Sequence, residues 1–244
     1  MTTQNALIVE IESLRQPGGG SPLFEGELHG GGVATSCFVL DVPPGGGARL
    51  HRHPYPEIFV LLDGQARVWV DGAAADIHAG QIAIVPTTAT HRFTNTGAGP
   101  LRTVNVHPHP RRIQEDLPPE AEPQPGTTGR QATIMEAESL RPEGGGAPVF
   151  EGVAHGDVPA SFFVVTAPPG AGPALHRHPY AEVFVLRDGQ ARFWVGDQTV
   201  DAHAGQIVIA PAGVAHRFEV TGDAPLRSVN IQPVARMVTE WLTG

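Results

Sequence analysis

The chain reads as an all-β fold built from two tandem copies of one unit, and three features of its 244 residues point there. Residues 12–108 recur as residues 138–233. Short runs rich in Val, Ile and Phe alternate with turn-forming pairs, and helical periodicity is nearly absent. The 30 glycines and 24 prolines supply the punctuation that many short strands need. With 41% apolar residues the chain can bury a core, and its length suits one large or two small domains. The repeat selects two.

The elements follow in order. ESLRQPGGGSPLFEG opens the first unit and returns as ESLRPEGGGAPVFEG. Its triple glycines, 18–20 and 144–146, mark loops, because a phosphate cradle would need GxxxxGK[ST] between a strand and a helix. HRHPYPEIFVLLDGQARVWV at 51–70 returns as HRHPYAEVFVLRDGQARFWV at 176–195, with 16 of 20 positions identical at an offset of 125. Asp63-Gly64 and Asp188-Gly189 have the chemistry of a two-residue type I′ hairpin, which would pair Leu62 with Gln65 and Phe59 with Val68. DIHAGQIAIVP recurs as DAHAGQIVIAP, and GPLRTVNV as APLRSVNI. Between the copies, PHPRRIQEDLPPEAEPQPGTTGR is too poor in apolar residues for a core and reads as a linker or a surface strap. The domains therefore fall at 1–110 and 132–244, joined by a linker at 111–131. Near the end, Val234, Met237, Val238, Trp241 and Leu242 recur at helical spacing, so a short terminal helix is expected.

Charge and composition exclude several functions. With 25 acidic against 16 basic residues the formal charge is -9, which repels nucleic acid and anionic membranes, and no helix-turn-helix accompanies the repeats. MTTQNALIVEIESL lacks the basic flank and apolar run of a secretory signal, and no stretch approaches 18 apolar residues. A soluble cytoplasmic protein is expected, and the lone Cys37 fits a reducing compartment. The partner is a small-molecule substrate. The pattern does not set the oligomeric state, for which a homodimer is the default.

One constellation carries chemistry. His51 and His53 stand two apart on a strand and leave by the same face, Glu57 opens the next strand, and His91 comes 38 residues after His53. His176, His178, Glu182 and His216 repeat the set with the same spacing. Three imidazoles and a carboxylate suit Fe, Mn, Co, Ni, Cu or Zn, one divalent ion per unit, and the lack of thiolates argues against a finger-type structural zinc.

GGGARLHRHPYPEIFVLLDG, from Gly45 to Gly64, and GAGPALHRHPYAEVFVLRDG, from Gly170 to Gly189, each match the first motif of the cupin superfamily. GQIAIVPTTATHRFTN and GQIVIAPAGVAHRFEV match its second, with Thr88 at a glycine position and Val220 at an asparagine position. The chain thus resembles a bicupin. The resemblance implies two tandem double-stranded β-helix barrels of the cupin jelly-roll type, and metal ligation by the eight residues above. His78, His203, His29 and His155 recur without matching a family ligand, and His107 and His109 lack counterparts and read as linker or surface residues.

Alternation extends the reading to a pocket. If Glu57 points inward, so do Phe59 and Leu61, Val68 across the turn, and Phe93 beside His91; the second unit offers Phe184, Leu186, Phe193 and Phe218. Arg49 shares the face of His51, where it either holds an anionic substrate or faces solvent at the mouth; its counterpart is Ala174. Ile58, Val60 and Leu62, like Val183 and Val185, form an opposite apolar face that packing between the halves should cover, and Trp69 and Trp194 are assigned to the same face. The resemblance covers quercetinase-like dioxygenases, oxalate-metabolising enzymes, isomerases and plain binding proteins. The rather apolar enclosure favours a metal-dependent dioxygenase acting on a small phenolic, enolic or diketone-like compound, with Glu57 a proton acceptor. The alternatives are a redox-neutral isomerase or decarboxylase and a non-catalytic binding module; an oxalate decarboxylase is disfavoured because no acidic lid is recognisable.

Overall fold

Runs such as Glu57–Asp63 and Glu182–Asp188 are apolar on both faces, so each strand must be covered twice, and the fold does this with a facing sheet on one side and the other half on the other. The computed structural model describes residues 5–16, 18 and 20–243; Gly19 of the first glycine loop and residues 1–4 at the chain start lie outside them. Each half consists of a six-stranded and a five-stranded antiparallel sheet in a jelly-roll-type arrangement. In the first half the larger sheet runs, edge to edge, Thr133–Glu136, Gln81–Val85, Glu57–Asp63, Leu101–His107, Ser36–Val42 and Leu23–Glu25. The smaller runs Glu115–Asp116, Gly47–Arg52, His91–Asn95, Gln65–Val70 and Ala73–His78. The second half repeats both. All four strand orders are open, so the closed barrels expected from the sequence are pairs of facing open sheets among the described residues.

The alternation assigns the two faces as expected. Phe59, Leu61, Ala66, Val68 and Val70 fill the space between the first half's sheets, and Phe184, Leu186, Ala191 and Phe193 do so in the second. Ile58, Val60, Leu62, Val104 and Val106 turn the other way and merge with Val183, Val185, Val229 and Ile231 into one core shared by the halves. Each such side chain, taken fully from water, contributes about 1.5–3 kcal/mol. At the rim of this core Arg102 and Arg227 each reach both Asp63 and Asp188, so the two Asp-Gly corners are tied across the interface. Trp69 and Trp194 take no part in it. They are half-buried on the smaller sheets, each under a guanidinium 3.6 Å from the ring centroid, Arg92 and Arg217 respectively.

Two local expectations are corrected, and one pairing goes beyond what was expected. Asp63-Gly64 does not close a hairpin: Glu57–Asp63 and Gln65–Val70 belong to different sheets, and the pair turns a corner between them. The two-residue hairpins are at Asp71-Gly72, where Val70 pairs with Ala73 and both turn residues have positive φ, 47° and 81°, and at Gly196-Asp197, where Val195 pairs with Gln198. The halves also exchange their leading strands: Leu7–Glu10 pairs with Gln206–Ala210 of the second half, and Thr133–Glu136 with Gln81–Val85 of the first. Lastly, the C-terminal segment is not a helix. Glu240–Trp241 pairs with His176–Arg177, just as Glu115–Asp116 pairs with Arg52 and His51. Two successive apolar pairs mimicked a helical stripe, but the strap's main chain finds its hydrogen bonds at an open strand edge.

Candidate metal centres

The ligands of each half come from both sheets. His51 lies at the end of Gly47–Arg52 and directly faces His91, first residue of the neighbouring strand; Glu57 opens a strand of the larger sheet, and His53 sits on the turn between. The four side chains are buried, with donor atoms within 4.8 Å of one another, and His176, His178, Glu182 and His216 are gathered in the same way.

The Oε2 atom of Glu57 stands 3.7, 3.2 and 2.8 Å from the Nε2 atoms of His51, His53 and His91. In the second half Glu182 Oε2 stands 3.9, 3.1 and 3.0 Å from those of His176, His178 and His216. Every ring turns its other nitrogen to a backbone carbonyl: His51 to Arg49 at 2.7 Å, His53 to Ile113 at 2.8 Å, and His91 to Ala89 at 2.9 Å. Ala174, Val238 and Val214 serve the second set. A carbonyl only accepts, so Nδ1 carries the proton and Nε2 of a neutral ring presents a lone pair. In a ring that also carries a proton on Nε2, that proton is donated to the carboxylate. Burial works against ionisation of Glu57, but His107 and the bonds from His51 and His53 outweigh it and hold the carboxyl well below its usual range; the ligand histidines do the same for Glu182, and a metal ion takes the place of those Nε2 protons. Three lone pairs and a carboxylate then converge on one point, an arrangement that a divalent cation satisfies. Each set fits one divalent transition-metal ion, with the metal's identity among Fe, Mn, Co, Ni, Cu and Zn left open by the donors.

The surroundings differ between the halves. Asn105, oriented by the Thr103 hydroxyl as Asn230 is by that of Ser228, donates to Glu57 Oε1 at 2.8 Å; the next inward position is where the halves part. His107, which the sequence assigns to linker or surface, is instead fully buried on the same strand, with Nε2 3.4 Å from Glu57 Oε1 and its ring 4.8 Å from that of His53. Thr103, Asn105 and His107 stand two apart, and this alternation with buried Val104 and Val106 was the signal that places His107 on the inner face. Gln232 takes its place in the second half, accepting a hydrogen bond from the Tyr180 hydroxyl. His29 accepts from the Glu25 amide, and His155 stacks on Phe150; His78 and His203 bond neighbouring turn carbonyls.

A cavity of about 690 Å³ opens beside the first set, lined by Phe93, Arg49, Arg112, Asp116, His51 and Glu57 among others. The second set opens on one of about 470 Å³ that includes Phe184 and Phe218. Phe59, Leu61 and Val68, and likewise Leu186 and Phe193, lie deeper, in the packed interior between the sheets. Arg49 is exposed at the first cavity's mouth. Ala48 pairs with Phe93 and His51 with His91, so a bulge of one residue interrupts the parity that would have placed Arg49 inside. Each cavity is roofed by a strap: Glu115–Asp116 over the first and Glu240–Trp241 over the second, fastened by Arg52–Glu115 and Arg177–Glu240. RRIQEDL at 111–117 and RMVTEWL at 236–242 stand at the same offset of 125, so the repeat runs further than the sequence reading took it.

The Cupin domain family model matches residues 38–107 and 163–232, more than half of the chain, and the chain belongs to the cupin family. It is a bicupin, one metal-ligand set in each domain. Among curated proteins it is 32% identical to Protein SchB of Streptomyces halstedii over 121 residues, 48% of this chain and 87% of that protein. It is 33% identical to the dimethylsulfoniopropionate lyase DddW of Ruegeria pomeroyi over 101 residues, 38% of this chain and 64% of that protein. Among solved structures it superposes on oxalate decarboxylase OxdC of Bacillus subtilis with a TM-score of 0.79 at 17% identity, over 99% of this chain and 80% of that one. A further structure of that enzyme, concerned with its Mn(II) centres, gives the same values. At this identity the likeness is one of fold. The expected dioxygenase acting on a phenolic, enolic or diketone-like compound does not stand beside these neighbours, which match along nearly the whole chain and are structures of a decarboxylase. Among the described residues no helix is long and apolar enough to cross a membrane.

Proposed function

We propose that the chain is a metal-dependent, redox-neutral decarboxylase or lyase whose substrate is a small carboxylate bound at the first site. The observation that carries this reading is the pairing of a buried His51, His53, Glu57 and His91 set with Arg49 and Arg112 on the wall of one cavity. Oxalate and dimethylsulfoniopropionate, from which two of these neighbours take their enzyme names, are both small carboxylates. In chain order the domains are 1–110 and 132–244 around a linker at 111–131, with their leading strands exchanged and with closure of each sheet pair into a barrel completed by its loops.

A bound divalent ion would supply Lewis acidity at the substrate's carboxylate oxygens. Arg49, free of an acidic partner among the described residues, would hold a second carboxylate at the mouth. Asn105 fixes the orientation of Glu57, and Phe93 with Leu40 and Leu117 limits the water that reaches the pocket. Glu57 would take or return a proton in this reading. Carbon dioxide release from oxalate and other small carboxylates, followed together with dissolved oxygen, tests the reading: product without stoichiometric oxygen uptake is expected, and one O₂ consumed per turnover refutes it.

A further inference from the structure

The two cavities differ systematically in charge. Besides its metal ligands, and Arg15 that is paired with Glu12, the first is lined by the charged side chains of Asp41, Arg49, Arg112 and Asp116. At the offset of 125 these positions hold Thr166, Ala174, Met237 and Trp241. Among the described residues the lining of the second cavity has no charged side chain apart from its ligand set; Phe163, Val165, Pro173, Phe218 and Trp241 dominate it, with Thr166, Asn230 and Thr239 the polar additions. Trp241 stands 61% exposed, its ring 5.1 Å from that of His176, so one face of a large apolar side chain is left over the mouth.

We infer that the second site binds a small monocarboxylate with an apolar or aromatic body, a ligand class distinct from that of the first site, and that Trp241 selects it. The inference rests on metal occupancy of His176, His178, Glu182 and His216 and is otherwise independent of the activity proposed for the first site. A divalent ion beside ionised Glu182 leaves one net positive charge, which one carboxylate neutralises. A second carboxylate would enter a wall without a cation and stay unpaired, at a large desolvation cost. An apolar body instead removes Phe163, Phe218 and the open face of Trp241 from water, a gain of about 25 cal/mol per Å². In the first cavity the same body would lie against Arg49 and Asp116 and strip them of solvent, whereas a dicarboxylate would meet a guanidinium there.

The test uses Mn(II)-loaded full-length protein, metal analysis, and calorimetric titration with benzoate and with oxalate. His51→Ala and His176→Ala each empty one site. Benzoate should bind His51→Ala as it binds the parent and fail to bind His176→Ala, and it should quench tryptophan fluorescence only where the second site is intact. Trp241→Asp, a change at an exposed position, should weaken benzoate at least about tenfold with metal content unchanged. Benzoate binding that survives His176→Ala, or is unaffected by Trp241→Asp, overturns the inference. A His51→Ala chain that holds no metal at all overturns its premise instead, and the metal analysis distinguishes the two failures.

Discussion

Glu57 and Glu182 sit in the same triangle of histidines, but their neighbours have diverged. Asn105 and Asn230 repeat beside them, but around Glu57 the supporting strand also brings a buried His107, and the strap brings Arg112 and Asp116. Around Glu182 the equivalent strand brings Gln232, bonded to Tyr180, and the strap brings Met237 and Trp241. What both share are the six backbone carbonyls that hold the imidazole Nδ1–H groups. Main chain is indifferent to side-chain substitution, so a ligand set held by carbonyls survives while its surroundings change. The capacity to hold metal is therefore duplicated, and the capacity to handle charge is not.

The largest expected effect breaks that duplication. Metal analysis of the parent should find two ions per chain, falling to one in either His51→Ala or His176→Ala. Glu57→Gln should lower turnover by at least about 10²–10⁴-fold, the range for loss of a positioned acid or base, and should remove the first ion as well. Glu182→Gln should leave turnover nearly intact while removing the second ion. Equal losses from both glutamate variants would mean that the halves act as one site.

A smaller effect sharpens the contrast in charge. Arg49→Ala should raise KM for a small dicarboxylate about tenfold with kcat little changed, the loss of one charge-assisted contact worth about 1.4 kcal/mol. Ala174→Arg supplies the converse: it should create dicarboxylate affinity at the second site. An unaltered KM in Arg49→Ala removes the anion-holding role at the mouth.

The interface gives a third comparison, because it treats the halves alike. Arg102 and Arg227 share Asp63 and Asp188, so Arg102→Ala and Arg227→Ala should each cost about 1–2 kcal/mol in denaturant unfolding, and the double variant should differ from their sum because the pairs form one network. Additive costs, or two separate unfolding transitions in the parent, would show that the shared core does not couple the halves.

The residues that repeat unchanged were legible in the sequence. An offset of 125 exposed the ligand sets, and alternation in EIFVLLD sorted Phe59 and Leu61 from Ile58, Val60 and Leu62 correctly. Local pattern failed where a long-range partner decides. LIVE at 7–10 and TIME at 133–136 look like strands in either half, and nothing local says that each crosses to the other's sheet. The strap at 236–242 has an apolar spacing compatible with a helix, and only the open edge at His176–Arg177 makes it extended. Arg49, which parity left open between the pocket and its mouth, stands at the mouth on the cavity wall, because a bulge shifts side-chain parity by one residue without leaving a mark in composition. Activity was the least legible, since one ligand set serves both redox and redox-neutral chemistry.

The smallest expected effect concerns a contact only the first half has. Asp71 is buried at the hairpin, accepts from the Thr90 amide at 2.8 Å and hydroxyl at 2.9 Å, and anchors the end of the linker through Thr128 and Arg130. Its counterpart is Gly196, which has no side chain to do so. Burial alone would raise the Asp71 pKa, but the bonds from Thr90, Thr128 and Arg130 outweigh it and bring it below the usual carboxylate value. A carboxyl with a folded pKa below its unfolded one stabilises fully above the unfolded value, about 3.9, and loses that contribution as pH falls through the folded value. Asp71→Asn tolerates the positive φ of this position and removes the charge, so it should cost about 1–2 kcal/mol at neutral pH. Hydrogen exchange of residues 127–130 should quicken in the variant at pH 7, and the difference from the parent should shrink only below about pH 4. A difference that persists undiminished in acid would mean that hydrogen-bond geometry, rather than the ionised carboxylate, fastens the linker to the first half.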